Sequence, residues 1–332
     1  MKTAFEYTNE LLRNQVPSMA YDGGDPEVWK AKARAKLSDL LGMGKFQKVD
    51  PKLDIEYETQ LEKAKEIRFT FQSEEGYRVP CHLLLPNGVE NPPVMICLQG
   101  HSTGMHISLG RAKYEGDEES INGGDRDFCV RAVAEGFAAI ALEQRTMGES
   151  RNEKSSGCAN STMTNLLMGR TTIGERVWDV SRLIDVLEES FADVVDTSCI
   201  TLMGNSGGGT ATGYTAALED RLVLAMPSCA MCAFTESIGA MHHCVCNYVP
   251  RIAEYFDMGE IVGMAYPKYF VQVSGALDNG FLIKGSRKVY GDGKKIYDAA
   301  GLADRCVLVV GEEGHRFYAD LAWPEVHRLL NR

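Results

Sequence analysis

The chain has 332 residues, 44% of them hydrophobic and 24% charged, with a formal net charge of −11 and a pI near 5.2. The length suits one large α/β domain with extra segments or two ordinary domains, and the composition is that of a globular protein. The acidic balance argues against a nucleic-acid or anionic-membrane partner, and no stretch approaches the roughly 18 uninterrupted apolar residues of a membrane span.

The opening "MKTAFEYTNELLRNQ" has no apolar core of signal-peptide length, since Glu6 and Glu10 interrupt it. The expected location is therefore cytoplasmic. The ten cysteines fit that compartment. Several, such as Cys97 and Cys306, lie inside apolar runs, where a reduced thiol packs as a small hydrophobe.

Residues 1 to about 48 read as helical, and 1–52 as an N-terminal helical extension. Asp25-Pro26-Glu27 is a helix start: Asp25 can cap free amides, and Pro26 lacks the N–H that the first helical position would orphan. That helix should end near Gly42. From about 53 to 86 the pattern alternates in three runs, which predicts antiparallel strands with a turn at Glu75-Gly76.

After Pro92-Pro93 the rhythm changes. Short, nearly continuous apolar runs at 94–100, 138–144, 199–205, 222–228, 269–275 and 306–312 alternate with helical stretches. Such strands are apolar on both faces, so they predict a mostly parallel sheet covered by helices on both sides. In the helix after Gly174, Val177, Val180, Ile184 and Leu187 share one face, and charged residues take the other. A final helix is predicted over about 317–331. The segment 230–265 breaks the rhythm and reads as a cap insertion within a main domain of 53–332.

The chemistry centres on "CITLMGNSGGGTATGYTAALED", which begins at Cys199. Gly204-Asn205-Ser206-Gly207-Gly208 is G-x-S-x-G between a predicted strand and a predicted helix. A serine on such a turn has its hydroxyl exposed, and the helix N-terminus aims amides at the place where an oxyanion would form. Serine needs a base. His315 follows the last predicted strand in a glycine-bearing loop, at the carboxyl edge of the sheet where a base can meet the serine. His327 falls inside the final helix and reads as a surface residue. Asp278, in "YFVQVSGALDNGF", ends the preceding strand and is the candidate acid, with Glu312 and Glu313 as alternatives. The backbone N–H groups of Gly207 and His101 are the candidate oxyanion donors, His101 lying in the "QGHSTGMH" loop.

With these residues placed, the chain resembles the α/β-hydrolase superfamily over about residues 60–332. "LQGHSTG", "EGFAAIALEQRTMGESR", "ITLMGNSGGGTAT" and "HHCVCNYVP" look like its bacterial dienelactone-hydrolase and acetyl-xylan-esterase-like branch. The resemblance implies ester hydrolysis without a cofactor, often deacetylation of sugars. Ser206 stands where true dienelactone hydrolases carry cysteine, which argues against that reaction. Gly207 stands where sugar deacetylases often carry glutamine.

The expected activity is that of a serine esterase on a small-molecule ester, with no nucleic-acid or membrane partner; a homo-oligomer stays open. The alternatives are a peptidase of the same fold and a non-catalytic binding protein on a hydrolase scaffold. Trp178 and Tyr248 are candidate substrate contacts through their rings; core packing is the commoner fate of a residue like Trp178, while for Tyr248, in the insertion, the two roles are evenly weighed. Cys229-x-x-Cys232, followed by His242, His243, Cys244 and Cys246, invites a zinc reading. Its irregular spacing favours buried or cap thiols instead, and no metal is expected. "GNSGGGT" and "GDGKK" satisfy neither the P-loop nor G-x-G-x-x-G. The acidic stretch 114–127 lacks the EF-hand pattern and reads as a solvated loop.

Overall fold

The computed structural model describes residues 1–151 and 157–332. Two helices come first, α1 (Ala4–Asn14) and α2 (Pro26–Leu41). The Asp25 side chain accepts from the Glu27 and Val28 amides, and Gly42 closes α2 at φ 76°. The left-handed backbone there is open to glycine at little cost. Between the helices the chain is irregular, so the N-terminal stretch is less helical than its sequence suggests. Pro17 cannot donate within a helix, and the following amides bond instead to the Glu254 and Tyr255 carbonyls. Ala33, Leu37 and Leu41 are fully buried. Arg34 anchors α2 by bonding Asp220 and the Leu218 carbonyl.

Three antiparallel strands follow: β1 (Asp54–Gln60), β2 (Ala64–Glu74) and β3 (Tyr77–Pro86). The parallel part consists of β4 (Pro93–Leu98), β5 (Ala138–Leu142), β6 (Asp196–Asn205), β7 (Leu222–Ser228), β8 (Tyr269–Gly275) and β9 (Cys306–Gly311). The nine strands form one sheet in the order β1-β2-β3-β5-β4-β6-β7-β8-β9. Every residue of β4 and of β5 is buried, as strands covered on both faces require. The chain runs outward from β4 to β5, then returns to β6 on the other side of β4. Loops leaving the carboxyl ends of β4 and β6 therefore part at this switch point and leave a crevice between them.

Helices α4 (Phe128–Ala134) and α11 (Ala319–Leu330) cover one face of the sheet. There Phe128, Ala132, Trp323 and Val326 pack with Met95, Cys97, Ala139 and Ala141. The other face carries α6 (Thr172–Ser190), α7 (Gly207–Leu218), α9 (Met258–Met264) and α10 (Ile283–Ala299). The "GDGKK" run lies inside α10.

Two sequence expectations need correction. On α6, Val177, Val180, Ile184 and Leu187 are buried as expected, but so are Arg176, Asp179 and Arg182 on its other side. The tertiary structure covers that face: Arg145 from the loop after β5 grips Asp179 at 2.8 Å through two nitrogens, and Arg182 donates to the Val49 carbonyl at 2.7 Å. The acidic stretch 114–127 is not simply a solvated loop. It forms α3 (Asp117–Gly124), and Asp117 is buried, held by Thr103, His106 and the Lys113 and Tyr114 amides. The remaining helices are α5 (Ala159–Leu167) and the short α8 (Ile252–Tyr255). No helix among the described residues is long and apolar enough to cross a membrane.

Candidate active site

Ser206 sits between β6 and α7 at φ 56° and ψ −123°. A non-glycine residue rarely adopts that backbone, and it persists only where neighbours over-determine it. The Ser206 N–H donates to the Ser228 carbonyl at 2.9 Å, and its own carbonyl accepts from Thr210 at 2.8 Å. The surrounding glycines are steric necessities. A Cβ on Gly100 would come within 2.8 Å of Ser206 Cβ, one on Gly208 within 2.2 Å of the Leu98 carbonyl oxygen, and one on Gly204 within 2.5 Å of the Gly208 backbone. The run of small residues thus lets α7 lie almost directly on the strands that carry the site.

His315 Nδ1 and Asp278 Oδ2 are 2.8 Å apart. The other oxygen of Asp278 accepts from the Gly280 and Phe281 amides at 2.8 and 3.0 Å. Burial alone would raise this carboxyl, but His315 and the two amides outweigh it and hold it below the usual carboxylate range. The His315 ring also stacks on Phe281, with centroids 5.8 Å apart and planes at 17°. With Nδ1 committed to Asp278, Nε2 is the nitrogen left for chemistry.

The link between the serine and this pair runs through β7. Ser206 bonds Ser228, and the next residue, Cys229, places its sulfur within 4.8 Å of both an Asp278 oxygen and a His315 nitrogen. Burial, reinforced by the Asp278 charge, pushes the Cys229 thiol up to about 12, so it is present as a neutral thiol. The thiol donates to the Arg316 carbonyl at 3.2 Å. Ser206 Oγ and His315 Nε2 have no hydrogen-bond partner among the described residues. Contacts of this kind commonly tighten only when substrate is bound.

His101 lies in the loop after β4, beside Gly207. A Cβ on Gly207 would come within 2.8 Å of the imidazole Cε1 and 2.9 Å of Nδ1. A glutamine side chain at this position would have to displace the histidine ring, which accounts for glycine there. Neither the His101 nor the Gly207 N–H has an acceptor among the described residues.

A cavity of about 460 Å³ opens beside this point, lined by His101, Ser102, Thr103, Glu115, Thr146, Met147, Arg151 and Cys158 among others. Its lining mixes polar side chains, such as Ser102, Thr103, Glu115 and Arg151, with apolar surface. Glu143, which follows β5, accepts from the Met105 and Glu149 amides at 3.2 Å each, and burial lifts its pKa to about 7. Sequence reasoning missed Glu143, because a lone carboxylate after a strand carries no spacing signal.

The two aromatic candidates lie elsewhere. One face of Trp178 stacks on Phe46 at 5.5 Å, and its N–H donates to the Ser73 carbonyl, so it packs the protein rather than a substrate. Tyr248 donates to the Ile238 carbonyl and lines an apolar groove with Phe5, Leu12 and Ile252, apart from the cavity that holds His101. His327 is half-buried and bonded to Glu135 rather than free at the surface.

Among the described residues Cys229 and Cys232 do not join His242, His243, Cys244 and Cys246 in one cluster. Cys232 turns to the Glu236 and Leu282 carbonyls, and His243 bonds the Gly280 carbonyl. A different set converges: the side chains of His101, Cys158, Cys244 and Cys246 bring their nitrogen and sulfur atoms within 4.8 Å of one another. The Cys244-x-Cys246 pair is visible in the sequence, whereas Cys158 and His101 are remote from it and from each other.

A parallel sheet with an antiparallel edge, helices on both faces, and a strained serine at a strand-to-helix turn define the α/β-hydrolase fold, and this chain has it. Comparisons agree. The profile of the fungal glucuronyl esterase family matches residues 120–233. The Bacillus subtilis (strain 168) protein YtaP is 25% identical over 262 residues, covering 77% of this chain and 83% of its own. A glucuronoyl esterase from Solibacter usitatus superposes with a TM-score of 0.67 at 14% identity, over 95% of this chain and 96% of its own. Acetyl xylan esterase 1 from Thermoanaerobacterium sp. JW/SL YS485 does so with a TM-score of 0.60 at 16% identity, over 96% and 98%.

Proposed function

We propose that the chain is a serine carboxylic-ester hydrolase that removes acetyl groups from a small acetylated sugar or glycoside. The observation that carries this reading is the buried Asp278 bonded to His315 at one side of a serine held in a strained turn. His315 Nε2 takes the Ser206 proton as Oγ attacks the ester carbonyl. The Gly207 and His101 amides stabilise the oxyanion of the tetrahedral intermediate. The intermediate collapses, the ester C–O bond breaks, and His315 returns the proton to the leaving alcohol. Water, deprotonated by the same nitrogen, then attacks the acyl-enzyme; acetate leaves and Ser206 recovers its proton.

The cavity beside His101 carries hydrogen-bonding side chains, among them Ser102, Thr103, Glu115 and Arg151, which suit a hydroxyl-bearing substrate. The structural neighbours include esterases named for acetylated xylan and for glucuronoyl esters. An ester of a sugar acid, in which the sugar lies on the acyl side, is the second reading. The glucuronyl esterase profile favours it, because the matched stretch contains Ser206.

The test compares acetylated monosaccharides and xylosides with methyl glucuronate and with longer p-nitrophenyl esters. Acetylated sugars are expected to be the best substrates, and Ser206→Ala is expected to lower turnover by about 10⁴-fold or more while leaving the folded state intact. Unchanged turnover in that variant rejects the mechanism. Preference for the glucuronate ester selects the second reading.

A further inference from the structure

We propose that His101, Cys158, Cys244 and Cys246 form a closed, four-coordinate zinc site that ties the candidate oxyanion loop to the segment covering it. The four residues come from three separate parts of the chain: the loop after β4, the residue that precedes α5, and a short turn at 244–246. Their ligand atoms lie mutually within 4.8 Å. A tetrahedral site with Zn–S of about 2.3 Å and Zn–N of about 2.0 Å has edges of about 3.5–3.8 Å. His101 Nε2 already lies 3.1 Å from Cys246 Sγ. Three thiolates and one imidazole are a soft donor set in the geometry zinc prefers, and all four positions are taken, so the site is structural rather than catalytic.

Arg176 supplies an independent argument. Its side chain is 1% exposed, and among the described residues it meets no carboxylate. Its guanidinium instead reaches Cys246 Sγ at 3.4 Å and Cys158 Sγ at 3.7 Å, along with the Arg145 carbonyl and the Thr146 hydroxyl. A buried cation needs a nearby anion. Three neutral thiols provide none. Three thiolates around a divalent ion leave one net negative charge, which Arg176 offsets. Hydrogen-bond donors pointed at a metal-bound sulfur are also what such sites use to fix their ligands, and Thr146 Oγ1 donates to Cys158 Sγ at 2.9 Å in the same way. On binding, the ion displaces the thiol protons to solvent.

The site has a mechanical consequence. The imidazole that would bind zinc through Nε2 lays its Cε1–Nδ1 edge against Gly207, the residue after Ser206. The ion would hold the His101 loop, and thus its N–H, in register with the helix that carries the nucleophile.

The experiment is metal analysis of the full-length chain, purified without chelator and freed of any affinity tag. About one zinc per chain is expected. Cys158→Ser and Cys244→Ser should each bring it close to zero, whereas Cys229→Ser and Cys232→Ser should retain it. Because a ligand variant can fail to fold, cobalt(II) is also titrated into metal-stripped native chain. Intense tetrahedral d–d bands with thiolate-to-cobalt charge transfer, saturating at one equivalent and bleached by zinc, are expected. A chain that stays free of zinc after incubation and gives no such bands overturns the site. So does a disulfide between any two of the three cysteines in metal-free native chain, iron in place of zinc, or equal metal loss in the Cys229 and Cys232 variants. Metal content is read without reference to ester hydrolysis, so either proposal can fail alone.

Discussion

At the scale of single residues, the site is a set of steric and electrostatic constraints on a few atoms. Ser206 holds a backbone conformation that costs on the order of 1–3 kcal/mol, and the Ser228 and Thr210 bonds keep it there. Gly207 is small because His101 occupies the space a side chain would need. Gly207→Ala should therefore push the imidazole and its loop away from α7. We expect kcat for an activated acetyl ester to fall by about 10²-fold, the cost of one misplaced oxyanion donor, with little change in KM. Steady-state kinetics on p-nitrophenyl acetate measures both. An unchanged kcat would mean that the His101 loop takes no part in the reaction.

At the scale of elements, α6 departs most from its sequence pattern. A helical wheel shows an apolar stripe and a charged stripe, and the charged stripe would ordinarily face water. Here Arg145, Glu74, Glu175, Asp179 and Arg170 close a mostly buried network that ties β2, α6 and the loop after β5 together. Removing its central cation leaves Asp179, which is fully buried, without a counter-charge. Arg145→Leu should cost about 3–5 kcal/mol of unfolding free energy. Urea denaturation measures it, and a loss below about 1 kcal/mol would show that the network is solvated after all. The α7 helix poses the opposite problem and solves it with glycine: Gly208 and Gly209 bring its backbone against Leu98 and Ser228, where any side chain would clash.

At the scale of the whole molecule, the strand order decides where chemistry can happen. Ser206 and His101 leave adjacent strands at the switch point, while Asp278 and His315 leave β8 and β9 at the same edge. Glu143 leaves β5 there too, and it makes overall stability depend on pH. Its ordinary value is 4.5, and burial raises it to about 7 in the folded chain. Below about 4.5 both states hold the proton, and the group contributes nothing. Between the two values only the unfolded state gives it up, so stability falls as pH rises, and the loss levels off above about 7. Its full size is on the order of 3 kcal/mol. Glu143→Gln, which keeps an acceptor for the Met105 and Glu149 amides, should therefore stabilise the chain more at pH 8 than at pH 4. Chemical denaturation at both values measures this, and an equal effect at both would refute the buried, raised carboxyl.

By itself the sequence determined the strand and helix pattern, the α/β class and the positions of Ser206, Asp278 and His315 at strand ends, because hydrophobic periodicity and G-x-S-x-G are local signals. The burial of Asp117 and of the charged side of α6, the packing role of Trp178 and the meeting of His101 with Cys158, Cys244 and Cys246 were decided only by the tertiary structure. Each depends on which remote segment comes to lie opposite a residue. That is set by the order of strands in the sheet and the paths of the loops between them, and no spacing along the chain encodes it.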